Sequence, residues 1–322
     1  MTDGVAPKAV ASSRRPDLMD FGARYGVVVV LAIILLANTL FTPHFATLRN
    51  VDLTFIQVVF VVLVGTGMTL VIATGGIDLS VGAVMGLVSV IAYWLLGQGL
   101  IVVLPACLLV GLGIGALNGA LIAAFNVQPI LITLGSLIWV RGLAQSISNG
   151  RKDYFDDPAM SYLGFGRVAG IPVQVLVTLA IVGVAALLVA RTVFGRRVVA
   201  IGGNRGASRL AGVPIRKTIV LAYAICGLLA ALAGVFVTAR VGSSDPTNFG
   251  LLIELDAIAA VVVGGSALSG GRANIVGTLV GALVLQLVTA AMVMNNVPVQ
   301  YSLVVKAVII LAAVYLQRSR AR

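Results

Sequence analysis

The chain has 322 residues, of which 60% are hydrophobic and only 10% charged, with a mean hydropathy of +1.10. A soluble domain carries roughly 45–50% apolar and about 25% charged residues, so this composition excludes a water-facing shell and describes an all-α, polytopic membrane protein. The net charge of +11 would suggest nucleic acid in a soluble protein; in a membrane protein it asks which side holds the cations, and no nucleic-acid partner is expected.

The first 24 residues form a polar tail, with Lys8, Arg14, Arg15 and Arg24 against Asp3, Asp17 and Asp20. The apolar run that starts at Tyr25 is followed by no small-residue cleavage site in Asn38 to His44, so it is expected to be a retained signal anchor. One span takes about 20 apolar residues, which allows roughly ten spans and no separate soluble catalytic domain. Ten candidate helices follow in order at 25–41, 53–74, 78–96, 100–124, 129–148, 173–193, 218–240, 252–265, 274–294 and 298–316, within a transmembrane domain over 25–317. The eighth is short and begins with Glu254 and Asp256. With the N-terminus in the cytoplasm, fifteen of the 22 cations fall on that side and five on the other, Arg49, Arg151, Lys152, Arg167 and Arg240. Retention of Lys and Arg in the cytoplasm therefore favours about ten spans with both termini inside.

One connection stands apart. From Arg191 to Lys217 the chain carries seven cations and no acid. Within the loop 194–217, Asn204 can cap a short helix, Gly212 can end it in a left-handed turn, and Pro214 stops its continuation. Ala207 and Ala211 share a face on that helix, with Leu210 beside them, so a small apolar strip is offered to a partner. A cationic helix of this kind also suits a surface of anionic lipid.

Gly75-Gly76-Ile77-Asp78-Leu79-Ser80-Val81-Gly82 and Gly264-Gly265-Ser266-Ala267-Leu268-Ser269-Gly270-Gly271 both read GGxxLSxG, 189 residues apart. Each ends one span and opens another, as a duplication would place them. Interrupted helices in corresponding halves of a transporter often mark the solute path. Gly111, Gly115 and Gly119 recur every four residues, as do Gly82 with Gly86 and Gly277 with Gly281, a spacing that lets helix backbones approach closely.

Few side chains offer chemistry. His44 is the only histidine, and the two cysteines, Cys107 and Cys226, lie in apolar runs, so neither a metal cluster, a disulfide nor a His-based acid–base pair is expected. Gly-Lys occurs nowhere, so there is no Walker A loop, and any ATP must be hydrolysed by another polypeptide. Asp78 is the only acid between residues 53 and 148, which argues against a proton relay. Asp78 has two readings: with Ser80 it caps the third helix, or it touches solute. Arg141 either snorkels to the interface or lines a hydrophilic path, and Lys306 poses the same choice. Asn118 offers amide hydrogen bonds to a neighbouring helix or to a ligand.

Gly67-Met68-Thr69-Leu70-Val71-Ile72-Ala73-Thr74-Gly75-Gly76-Ile77-Asp78-Leu79-Ser80-Val81-Gly82 closely resembles the signature of ribose-type ABC transporter permeases, the membrane subunits of bacterial monosaccharide importers. Three blocks agree in order: Gln128 to Gly135 followed by Arg141-Gly142-Leu143-Ala144, Ala200 to Asn204 with Gly212, and Gly264-Gly265 with Gly270-Gly271-Arg272. The resemblance covers roughly residues 45 to 316. It implies a multi-pass permease of the bacterial inner membrane, not an enzyme and without a cofactor. It further implies a homodimer, bound inside to an ATP-binding-cassette ATPase and served outside by a solute-binding protein. The family's coupling segment corresponds to Asn204, Arg205, Ala207, Arg209, Leu210, Ala211 and Gly212. Where members usually carry an acid shortly after the Asn, this chain has Arg205-Gly206-Ala207, so its contacts with the ATPase are expected to differ there. The expected cargo is a small polar solute, most simply a monosaccharide such as ribose, with Asp78, Asn118 and Arg141 as path residues. A stand-alone ten-helix metabolite carrier of the drug/metabolite type is the competing reading. An intramembrane enzyme would show a set of catalytic acids or a His cluster within its spans, and no such set is visible in this sequence.

Overall fold

The computed structural model describes residues 18–319. The polar tail, up to residue 17, and the last three residues, with Arg320 and Arg322, lie outside the described residues. Each of the ten candidate helices recurs as a helix: α1 (Leu18–Phe41), α2 (Leu48–Ala73), α3 (Val81–Leu95), α4 (Leu100–Phe125), α5 (Pro129–Ser148), α7 (Val173–Arg191), α10 (Ile215–Val241), α11 (Ile253–Val263), α12 (Ile275–Met294) and α13 (Val299–Ser319). Between them lie α6 (Pro158–Phe165), α8 (Val193–Gly203) and α9 (Arg205–Leu210), with four two-residue strands: β1 (Asp153–Tyr154), β2 (Arg167–Val168), β3 (Ile171–Pro172) and β4 (Ser243–Ser244). Among the described residues, seven helices are long and apolar enough to cross a membrane, and α1 and α13 add shorter apolar stretches at Val27–Phe41 and Gln300–Ala312. The fold is that of a polytopic helical membrane protein.

The eighth candidate departs from the expectation. At 11 residues, α11 is about 16 Å long, roughly half the hydrocarbon thickness of a bilayer. The rest of that pass, residues 243–252, is the short strand β4 followed by consecutive turns, laid along α3: Asp245 N donates to Ser89 Oγ, and a Cβ on Gly82 would overlap the carbonyl of Gly250. Turn backbone of this kind is tolerated inside a bundle where protein groups satisfy it.

Helices α2 and α10 form the core. Helix α2 packs against α7, α10, α11 and α12, and α10 against α4 and α3. Small residues make this possible. Gly111, Gly115 and Gly119 of α4 meet Gly227, Tyr223 and Val220 of α10 with no room for a Cβ, and Gly277 and Gly281 of α12 press on Gly264 and Ala260. Gly82 and Gly86 play another part, since they admit the 243–250 segment and Arg141 rather than a neighbouring helix.

The connections sort to two ends of the bundle. One end gathers residues 74–80, 192–214 and 264–274, joined by the Gly271 N–H to Ala73 carbonyl bond of 3.0 Å. The other gathers the 149–172 connection and the 242–244 turn, through the β1–β4 pairing and the Phe155 N–H to Gly242 carbonyl bond. Among the described residues, the only acid at the first end is Asp78, and its side chain is buried.

Candidate functional site

The sequence-flagged residues fall into three connected layers. In the middle of the bundle, α3 and α11 both start inside the protein. Ser80, which precedes α3, bonds Asn118, seven residues before the end of α4, so α3 begins about 10 Å in from that end. Helix α11 starts just after Gly250 has met Gly82, backbone to backbone. Two chain segments thus enter from opposite ends, meet at a pair of glycines, and turn into α3 and the short α11, which run apart. Gly250 sits at φ +73°, and a Cβ there would collide with Gly82, so only glycine serves at both positions.

Arg141 locks this crossing. Its Nη1 donates to the carbonyls of Pro246 and Phe249 at 2.8 Å each. The loop is also held by Asp245, whose Oδ1 accepts the N–H groups of Thr247 and Asn248. The Asn248 side chain adds two bonds to the same carboxylate, its Nδ2 donating to Oδ1 at 3.1 Å and Oδ2 at 3.0 Å. Arg141 therefore neither snorkels nor stands free. Replacing it by Leu takes the charged donor from two carbonyls, a loss expected to cost about 3 kcal/mol. A melt of the detergent-solubilised chain should show a marked fall for Arg141→Leu, and an unchanged melt would refute the lock.

Lys306 is likewise paired. Its Nζ lies 2.9 Å from Asp256 Oδ1 and 3.1 Å from Oδ2, tying α13 to α11. An ion pair is the usual reason for charges at such depth.

Asp78 and Asn118 share the second layer. Trp139 Nε1 donates to Ser136 Oγ, Ser136 Oγ to Asn118 Oδ1, Asn118 Nδ2 to Ser80 Oγ, and Ser80 Oγ to Asp78 Oδ1. Ser80 N–H adds a second bond to the same Oδ1 at 2.9 Å. Every donor points one way, from α5 across α4 to the loop that precedes α3, and Asp78 is the terminal acceptor. The loop is pinned again at the Ile77 carbonyl, which accepts from Thr133 at 3.2 Å and Tyr223 at 3.4 Å. Asp78 and Asn118 are completely buried in protein. The expected cap is realised as a tie: Asp78 holds Ser80, and Ser80 makes no side-chain cap to its own helix.

The third layer is the basic end. The two glycine motifs both close helices with the same left-handed cap. Gly75 (φ +85°) bonds Ile72 and Gly76 bonds Val71, while Gly265 (φ +89°) bonds Val262 and Ser266 bonds Val261. The caps pair Gly75 with Gly265, one residue away from the sequence alignment, and beyond them the chains diverge. What unites the two loops is a helix that the sequence reading missed. Helix α8 is capped by Thr192 and buries Val198 and Ile201. Its Gly202 sits where a Cβ would overlap both the Ala73 carbonyl and the Gly271 N–H. The signal was present in the Val198–Ile201 spacing opposite Arg196 and Arg197, but it lay within a run dominated by charge.

Next in the chain, Asn204 breaks the helix and caps α9, its Oδ1 accepting the N–H of Ala207 at 2.9 Å. Gly212 (φ +72°) ends α9, with Gly212 bonded to Arg209 and Val213 to Ser208. Ser208 is buried, whereas Arg205, Ala207, Arg209 and Ala211 are exposed and Leu210 is 92% exposed. The elbow is capped at both ends and carries an apolar tip.

With this geometry in place, the similarities to known proteins can be set beside it. The sequence profile of the family described as "Branched-chain amino acid transport system / permease component" matches residues 50–314. The chain is 37% identical over 300 residues to the ribose import permease protein RbsC of Escherichia coli (strain K12), covering 91% of this chain and 93% of that one. It is 38% identical to the galactofuranose transporter permease protein YtfT of the same organism, covering 91% and 89%. It is 35% identical to that organism's L-arabinose transport system permease protein AraH, covering 92% and 90%. No solved structure matches.

Proposed function

The chain belongs to this permease family, among the monosaccharide ABC permeases, and on that premise we propose that it is the membrane subunit of an importer driven by a separate ATP-binding-cassette ATPase. It is a transport component and not an enzyme. In this reading the basic end faces the cytoplasm, both termini lie there, and a solute-binding protein delivers cargo at the other end. The working unit is a homodimer with the pathway between or beside the two copies, and the cargo is a monosaccharide of the ribose class. Asp78 and Asn118 act by holding α3, α4 and α5 in register, and Arg141 by holding the crossing at the starts of α3 and α11.

The observation that carries the reading is the elbow. An exposed leucine on an acid-free basic segment is left uncovered by the described residues, and it is joined through α8 to both glycine loops. An ATPase gripping Leu210 and Ala207 would therefore move the loops that precede α3 and α12. Replacing Leu210 by Asp, or Arg209 by Glu, is expected to lower ATP-driven uptake in proteoliposomes at least about tenfold, since each puts an acid or removes a contact at an interface hot spot. Copurification of the ATPase should fall with it, while the membrane chain keeps its melting temperature. Full-rate uptake by this polypeptide alone, or labelling of an Ala211→Cys variant only from outside the cell, would sink the proposal.

A further inference from the structure

Beside the elbow lies a cavity that shares Arg205 and Arg209 with the coupling segment and extends from them to the ends of α4 and α10. It measures about 580 Å³ and is lined at one side by Ala123, Ala124 and Asn126 of the α4 end, and at the other by Ile215, Arg216 and Lys217 of the α10 start. Arg205 and Arg209 close it from α9. Four cations thus face one space that no acid lines, and none of the four has an acidic partner among the described residues. The N–H groups of Arg216 and Lys217, in the first turn of the 27-residue α10, have no acceptor among the described residues either. Such a space suits an anion in charge and in donor direction.

The surroundings say which anion. Ala124 and Leu117 lie on one stripe of α4, with Leu121 between them, and Leu221 lies one turn beyond Lys217 on α10. Ala124, Leu117 and Leu221 are exposed. The cationic space therefore opens onto an exposed apolar stripe of α4 and the exposed Leu221 of α10. Leu210, by contrast, projects from the elbow and does not line it. A headgroup phosphate with acyl chains attached fits this layout; an acidic protein surface has no use for the apolar faces. We propose that this cavity binds the phosphate of an anionic phospholipid, whose headgroup bridges α9 to the ends of α4 and α10 and so steadies the elbow. Only the assignment to the cytoplasmic leaflet rests on the orientation proposed above.

The test is native mass spectrometry of the full-length chain in mild detergent, with phosphatidylglycerol, phosphatidylethanolamine or inorganic phosphate added in turn. Phosphatidylglycerol should stay bound more tightly than the other two. The Arg216→Gln/Lys217→Gln pair should weaken it by roughly thirtyfold, about fivefold for each cation removed near a membrane surface. The Arg196→Gln/Arg197→Gln pair, on α8 and outside the cavity, serves as the charge-matched control and should leave binding unchanged. Equal loss in both pairs, or equal retention of phosphatidylethanolamine, overturns the proposal. Inorganic phosphate binding as tightly as the lipid overturns it in favour of a free-anion site. If the Arg216/Lys217 pair loses the ATPase but keeps the lipid, the cavity belongs to the protein partner and the proposal fails. Loss of lipid with the ATPase retained supports it, and leaves the transport reading untouched.

Discussion

Alanine at Gly202 is expected to stop transport while leaving the partner ATPase attached. The added Cβ would overlap two backbone atoms, the Ala73 carbonyl and the Gly271 N–H, and these are bonded to each other at 3.0 Å. Neither can rotate aside as a flexible side chain would, so α8 must back away or the bond between the two glycine loops must break. Overpacking of this kind costs about 1–3 kcal/mol, which is enough to loosen the joint without unfolding a bundle whose core lies in α2 and α10. The exposed tip of α9 is untouched, so docking should survive. ATP-driven uptake should fall at least about tenfold, as expected when a rigid two-state contact is lost. Gly203 supplies the control: a Cβ there meets nothing within 4 Å, and Gly203→Ala should transport normally. Equal behaviour of the two variants would show that α8 does not connect the elbow to the loops.

That joint also shows what the sequence could and could not reveal. Helix positions were legible because a span must satisfy its backbone internally and present about 20 apolar residues, a signal that survives without knowledge of neighbours. The caps around α9 were legible for the same local reason, since Asn204 and Gly212 act within four residues of where they stand. Long-range facts were not. Arg141 bonds carbonyls 105 and 108 residues away, and nothing in its flanks separates a lock from a snorkelling side chain. The glycine pairs at 82 and 86 looked like a helix-packing motif because spacing reports an open surface and not what fills it. The α8 helix hid in a basic run, and nothing local in the polar stretch 243–252 told that it folds along α3 inside the bundle.

Burial alters the reading of Asp78 most, and substitution there separates two explanations. Asp78 Oδ1 is the acceptor for both the N–H and the hydroxyl of Ser80, while Oδ2 has no partner among the described residues. If the role is to receive the chain of donors that begins at Trp139, an amide serves nearly as well as a carboxyl, because its carbonyl oxygen can stand where Oδ1 stands. Asp78→Asn should then keep its uptake and lose less than about 1 kcal/mol of stability. Asp78→Leu strands two donors in a dry interior at about 1–3 kcal/mol each, so its melting temperature and uptake should both collapse. Asn118→Leu breaks the same chain one bond earlier, and the two leucine variants combined should cost less than their sum, with a coupling of about 0.5–3 kcal/mol. If Asp78→Asn proves as inactive as Asp78→Leu while still folding, the charge itself is needed. Asp78 would then have to reach solute in a conformation in which α3 has moved away from α4, and the network would be the resting state of a path residue.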